Sequence, residues 1–119
     1  MKELKTGITG TAETVVTLEN SAAACDNSLP KVFSTPMLVA LIEQAAINAL
    51  KPYYDEDELS VGVTVNIKHM AATPLGEKVK AEATLIEIQG AKLKFEVKAF
   101  DEHRQISKGE HGRAIIKKS

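Results

Sequence analysis

The helical period occurs in one stretch of this chain and the strand period nearly everywhere else, which leaves few folds open. Leu38, Val39, Ile42, Ala45, Ala46 and Ala49 fall on one side of a helix. Ser34 or Thr35 can cap it, Pro36 suits its first turn, and it should run to about Leu50 and stop near Pro52. The stripe is broad and built mostly of small residues, so the helix should press closely against a sheet. Before it, Ile8 to Leu18 is rich in Thr and Val, with Ile8, Ala12, Val16 and Leu18 in one parity, and reads as a first strand. Asn20 to Lys31 is small, polar and broken by Pro30, and reads as a loop.

After the acidic turn Asp55-Glu56-Asp57-Glu58 the period becomes two. Val61, Val63, Val65 and Ile67 alternate with Gly62, Thr64, Asn66 and Lys68, the pattern of a strand with one buried face. Beyond the turn Pro74-Leu75-Gly76, Val79, Ala81, Ala83 and Leu85 repeat that pattern. Gln89-Gly90 can turn a hairpin into a strand carrying Leu93, Phe95, Val97 and Ala99. Asp101-Glu102-His103-Arg104 leads to a last strand, Gln105 to Lys117. The expected order is strand, helix, then four strands in a meander. One helix lying across one antiparallel sheet of about five strands is a two-layer α+β domain, expected to span residues 1–119 as a single unit.

Size and charge exclude several functions. A chain of 119 residues buries a modest core, so pairing with a second copy would help. The formal charge of -1 argues against a nucleic-acid binder. No apolar run approaches the roughly 20 residues that cross a bilayer, and the charged start Met1-Lys2-Glu3-Leu4-Lys5 predicts no secretory leader. Cys25 is the only cysteine; an internal disulfide is excluded, which suits a reducing cytosol. With no basic neighbour, Cys25 is not expected to be a nucleophile. His69, His103 and His111 lie in separate segments without metal-ligand spacing, and no Gly-rich phosphate loop opens the helix. Neither a metal nor a cofactor is expected.

Three polar residues stand out by position. His69 continues the parity of Val61 to Ile67, which points its ring toward the helix side of the sheet. A core histidine satisfied by a backbone carbonyl would look the same. Glu43 has Val39, Ala40, Ala46 and Ile47 as helical neighbours. A carboxylate ringed by apolar side chains loses solvation and becomes a candidate general base or nucleophile; it could equally reach a lysine or water. Thr35 can simply cap the helix. A helix N-terminus also offers free N–H groups to a developing oxyanion. Thr35 precedes Glu43 by eight residues, about 12 Å of helix at 1.5 Å per residue, so the two cannot touch directly. They could flank one elongated acyl thioester, or face each other across a dimer interface.

The segment Val32-Phe33-Ser34-Thr35-Pro36-Met37 through Leu41-Ile42-Glu43 resembles the active-site helix of the fluoroacetyl-CoA-specific thioesterases. Gly62-Val63-Thr64-Val65-Asn66-Ile67-Lys68-His69-Met70-Ala71-Ala72-Thr73-Pro74 resembles that family's next strand and turn, and Gly109-Glu110-His111-Gly112-Arg113-Ala114 its last strand. The resemblance covers nearly the whole chain and is weakest before Leu29. It implies a hot-dog fold, in which a sheet wraps one central helix and two copies pair through sheet edges. It implies an acyl-CoA thioesterase with Thr35, Glu43 and His69 as catalytic residues and an acyl-CoA as substrate. Glu43 would attack the acyl carbon or activate water, His69 would move protons, and Thr35 would orient the carboxylate or acyl group from the partner subunit. Gly62 would bring a backbone N–H to the thioester oxygen, and Arg113 would lie near the substrate, although a solvent-facing salt bridge is its plainer reading. Leu29 stands where the fluoroacetyl enzymes carry an aromatic lid residue. A short or medium acyl group is expected, and the departure at Leu29 weakens the case for fluoroacetyl itself.

Two other functions fit the same fold. A hydratase would need an acid beside His69, and the nearest in that region is Glu77. A non-catalytic acyl-CoA binding protein would use the same pocket with Glu43 held in a structural ion pair. The coenzyme phosphates could meet Lys92, Lys94 or Lys98, which otherwise form a solvated strand face.

Overall fold

A computed structural model describes residues 1–118. In it β1 (Thr9–Val15) is followed by a short helix α1 (Ala22–Cys25) and the long helix α2 (Thr35–Leu50). A single 3₁₀ turn, Lys51–Tyr53, then leads to β2 (Glu58–His69), β3 (Lys78–Gln89), β4 (Lys92–Phe100) and β5 (Gln105–Lys117). All five strands form one antiparallel sheet in the order β1-β3-β4-β5-β2. This is the α+β arrangement of the hot-dog fold, with the sheet curled around α2.

The helix and two of the strands meet as their patterns predict. Val79, Ala81, Ala83 and Leu85 of β3, with Leu93, Phe95, Val97 and Ala99 of β4, are buried against Leu38, Ile42, Ala45, Ala46 and Ala49 of α2. Leu41 and Leu50 join the buried side of α2 and Val39 leaves it. Gly90 turns the β3–β4 hairpin with φ +62°, a conformation side chains resist.

Small residues set how closely the layers approach. A β-carbon at Gly10 of β1 would run into the carbonyl oxygen of Ala45 and the backbone nitrogen of Ala49, and would lie 2.7 Å from Ala49 Cα. These are backbone atoms of α2 and cannot swing aside. Gly10→Ala is expected to destabilise the fold by at least about 2 kcal/mol, the upper part of the overpacking range. The urea midpoint reads this directly, and an unchanged midpoint would mean that β1 does not rest on α2.

Several expectations are corrected. The last four strands are not a meander: β3, β4 and β5 are, but β2 pairs with β5 at the far edge of the sheet while β1 pairs with β3. The connection from β2 to β3 therefore crosses the width of the sheet. The first strand is shorter than expected, and Leu18 lies beyond it, exposed. The Asn20–Lys31 loop contains α1, whose run of three alanines and a cysteine carries no helical stripe. The largest departure concerns β2, whose valines do not share one face: the register shifts at Val63, so Val61, opposite Ala114, lies on the outer side and Val65, opposite buried His111, on the helix side. Val61, Val63 and Val65 are 40, 62 and 38% exposed. An edge strand has a neighbouring strand on one side only, so its apolar side chains stay partly open even where the strand runs beside α2.

Candidate functional site

The helix N-terminus separates two residues that either could have capped. Ser34 takes that role, its hydroxyl accepting from the Met37 N–H at 3.3 Å. Thr35, at the first helical position, is thereby released, and its hydroxyl lies 2.8 Å from His69 Nδ1. The plainer reading of Thr35 as a cap is thus taken over by its neighbour. His69 ends β2 directly opposite Ser107 of β5. His69 Nε2 and Ser107 Oγ are both buried without a hydrogen-bond partner among the described residues. Thr35 and His69 share the wall of a shallow depression with Phe33, Met70 and Ala71, and Glu43 is not part of that wall.

Glu43 belongs to a second cluster, two turns along α2. Its carboxylate is not ringed by apolar groups. Oε2 accepts from Arg113 Nη1 at 3.2 Å, in an ion pair whose side chains are 37% exposed for Glu43 and 2% for Arg113. Arg113 is not solvent-facing, as its plainer reading had it. Ser60 anchors it twice, the hydroxyl accepting from Nε at 2.8 Å and the carbonyl from Nη2 at 2.8 Å. Tyr54 OH lies 2.5 Å from the same hydroxyl. Gly62, opposite Arg113 in the ladder, leaves room for the carboxylate: a β-carbon there would stand 2.7 Å from Glu43 Oε2 and 3.4 Å from His111 Cε1.

His111 is a member of this cluster that sequence reasoning passed over. It is fully buried on β5, and its ring stacks on Phe95 at a centroid distance of 6.4 Å. Nδ1 lies 2.8 Å from the Thr64 carbonyl oxygen and Nε2 3.2 Å from Arg113 Nη1. The signal was present in the spacing: in His111-Gly112-Arg113, residues two apart on a strand share a face. Ser60 could have been found by the same parity only with β5 known to be its neighbour.

The chain thus brings together Thr35 with His69, and Glu43 with Gly62 and Arg113, without a hydrogen bond between the two groups. One feature of β2 links them. Gly62 pairs with Arg113 and Thr64 with Gly112, so Val63 is an extra, bulged residue. From Gly62 to His69 the partners run from Arg113 to Ser107, six ladder steps for seven residues. An even number of steps places Gly62 and His69 on the same, helix-facing side of the sheet.

Both histidines resist protonation. Burial pushes His69 below the usual histidine value of 6.5, with the Ala71 backbone opposing. Burial also lowers His111, assisted by the Arg113 charge and opposed by the Thr64 carbonyl and the Glu43 carboxylate. A folded-state value below the unfolded one means that the unfolded chain binds protons more readily, so stability is lost as pH falls below about 6.5. The urea midpoint is expected to drop between pH 7.5 and pH 5, above the range in which carboxylates titrate. His111→Gln is expected to remove part of that drop. A midpoint flat over this interval would contradict it.

Known proteins share this architecture and much of this sequence. Residues 16–119 match the model of the family described as fluoroacetyl-CoA-specific thioesterase. The fluoroacetyl-CoA thioesterase of Streptantibioticus cattleyicolor is 39% identical over 87 residues, 73% of this chain; the match spans 63% of that protein's length. A crystal structure of the fluoroacetyl-CoA thioesterase FlK superposes with a TM-score of 0.91 at 31% identity, covering 98% of this chain and 90% of that one. A thioesterase superfamily member from Thermus thermophilus superposes with a TM-score of 0.92 at 26% identity, over 99% of this chain and 88% of that one. With all but its first strand inside the family model, the chain belongs to the fluoroacetyl-CoA-specific thioesterase family.

Proposed function

We propose that this protein is an acyl-CoA thioesterase that hydrolyses a short or medium acyl-CoA to the free acid and CoA at sites shared between two copies of the chain. The observation that carries this reading is the bulge in β2, which turns Gly62 and His69 to one face of a single free edge. A twelve-residue edge strand with exposed valines is a template for a second strand. An antiparallel β2–β2 pair centred on Asn66 sets Gly62 of one copy opposite His69 of the other, and Val65 opposite Ile67. Directly opposed β-carbon positions lie about 4.5–5.5 Å apart. The Glu43 carboxylate, lodged against Gly62, then meets the Thr35–His69 pair of the partner in one cleft.

In that cleft Glu43 attacks the thioester carbon, giving an acyl-glutamyl anhydride and CoA thiolate, with neutral His69 hydrogen-bonded to the leaving sulfur. Water then cleaves the anhydride to the free acid and the Glu43 carboxylate, and the proton it releases passes through His69 to the thiolate. Glu43 acting as a base on water would use the same groups and produce the same products; label from heavy-oxygen water entering Glu43 over many turnovers identifies the anhydride route. Thr35 holds His69 Nδ1, which leaves Nε2 for the leaving sulfur. Gly62 keeps space for the carboxylate and brings backbone close to the thioester oxygen. Arg113 lies beside the acyl group as the counter-charge of Glu43. Leu29 in place of an aromatic residue favours acyl groups other than fluoroacetyl. As a domain of residues 1–119, the protein is proposed to act in the cytosol; no described helix is long and apolar enough to cross a membrane.

A second reading is favoured by one contact. The Glu43–Arg113 ion pair is the structural engagement expected of a protein that binds acyl-CoA without cleaving it. Incubating the wild-type protein with acyl-CoAs of two to ten carbons and a thiol-reactive dye separates the two. The thioesterase releases free thiol catalytically from at least one of them. Saturable binding of intact acyl-CoA without release would sink the enzymatic reading.

A further inference from the structure

Arg113 Nη1 carries two hydrogens, and both are committed. One points to Glu43 Oε2 and the other to His111 Nε2, each at 3.2 Å. A guanidinium only donates, so Nε2 must accept; the ring proton then resides on Nδ1, where the Thr64 carbonyl, which only accepts, takes it at 2.8 Å. These partners fix both the tautomer and the charge of His111. A protonated ring would present a second hydrogen to Nη1 and a second positive charge to Arg113. The ring itself cannot turn away, because it is fully buried against Phe95 and paired across β5 with Val65 on one side and Phe95 on the other.

We infer that neutral His111 is a positioning residue for the hydrolysis: by accepting one Nη1 hydrogen it fixes the plane of the Arg113 guanidinium and aims the other hydrogen, and with it the Glu43 carboxylate, at the reacting carbon. Ser60 holds the Nε and Nη2 side of the fork. Without a second anchor on Nη1 the guanidinium would pivot about that edge. Glu43 extends from a helix on a flexible side chain and is partly open to solvent, and Arg113 is its only polar side-chain partner among the described residues. The inference rests on Glu43 being the reacting carboxylate, and it adds the residue that orients it.

The test compares His111→Gln, whose amide oxygen can reach the position of Nε2 and accept, with His111→Leu, which has similar bulk and no acceptor. In thiol-release assays His111→Leu is expected to lose about 10- to 100-fold in kcat, the scale of a small misplacement of a reacting group. KM is expected to stay within about threefold, because acyl-CoA binding does not use the ring. His111→Gln is expected to recover most of the lost kcat. Equal losses in both variants would make the ring a packing element, and unchanged kcat in His111→Leu would overturn the inference outright. Should His111→Leu not fold, nitrogen-15 NMR of the wild-type ring provides an independent test. An unprotonated Nε2 beside a protonated Nδ1 is expected, and a protonated Nε2 refutes the arrangement. Glu43→Ala is run in parallel. If it keeps full activity, the catalytic reading of Glu43 fails; if it is dead while His111→Leu is fully active, only the role given to His111 fails.

Discussion

Replacing Glu43 with glutamine is expected to slow thioester hydrolysis at least about a thousandfold while leaving a folded protein that still binds acyl-CoA. The size follows from the chemistry: an amide oxygen is neither a competent nucleophile toward a thioester nor a base for water, and loss of a nucleophile or its partner commonly costs about three or more orders of magnitude. The fold should tolerate the change for reasons visible around the side chain. The carboxylate is partly open to solvent, so little desolvation is stored in it. The amide oxygen can still accept from Arg113 Nη1, and Arg113 keeps its bonds to Ser60 and His111. A stability cost of about 1–3 kcal/mol is expected, because the Arg113 guanidinium, 2% exposed, loses its carboxylate while keeping its other hydrogen bonds. Rates from thiol release, a urea midpoint and acyl-CoA binding by calorimetry would together read activity, stability and affinity. Hydrolysis at the wild-type rate in Glu43→Gln, with binding unchanged, would remove the carboxylate from the mechanism and leave the ion pair as a structural feature.

How far the sequence describes this protein depends on where each residue's partner lies in the chain. β3 and β4 are hairpin neighbours under one helix, so their alternation and the α2 stripe read correctly. The bounds of β5, Gln105 and Lys117, agree with the sequence reading, and its start is legible because a polar turn precedes it. β2 shows the limit. Its valines alternate as clearly as those of β3, but period two reports only that a face is apolar, not what covers it. β2 has β5 on one side and no strand among the described residues on the other, and the bulge at Val63 leaves Val61 and Val65 on opposite faces. The bulge at Val63 has no signature in composition, yet it decides that Gly62 and His69 share a face. Thr35 and Glu43 stand out as candidates through helical spacing and family resemblance. Their surroundings are not: Ser34 rather than Thr35 caps the helix, and Arg113 reaches Glu43 across 70 residues of sequence. His111 is hidden for a different reason. A histidine in a strand is ordinary, and only its two contacts, one to a carbonyl and one to an arginine, reveal a fixed tautomer.

Mixing two inactive variants is expected to restore activity if the site is shared between copies. Take Glu43→Ala in one preparation and His69→Ala in the other. In a mixed dimer, one cleft receives alanine from both chains and is dead, while the other combines the intact Glu43 of one chain with the intact His69 of its partner. Random exchange of equal amounts makes half of the dimers mixed, each with one working cleft of two, so about a quarter of wild-type activity is expected by this arithmetic for a two-fold closed dimer. Each variant alone is expected to show at most about a thousandth of it. If the reacting groups came from the same chain, every cleft in the mixture would lack one of them and nothing would return. The register gives a control. A lysine at Val65, which the β2–β2 pair sets opposite Ile67, places a charge inside the seam and should abolish dimer formation and with it complementation; Val65 also stands opposite His111 within its own chain, so lost activity counts only together with a lost dimer. Recovery near a quarter with loss in the lysine background fixes the edge and its register together. Absence of recovery from mixtures shown by mass spectrometry to contain mixed dimers would mean that Glu43 and His69 do not meet across β2, and the free valines would then need another explanation.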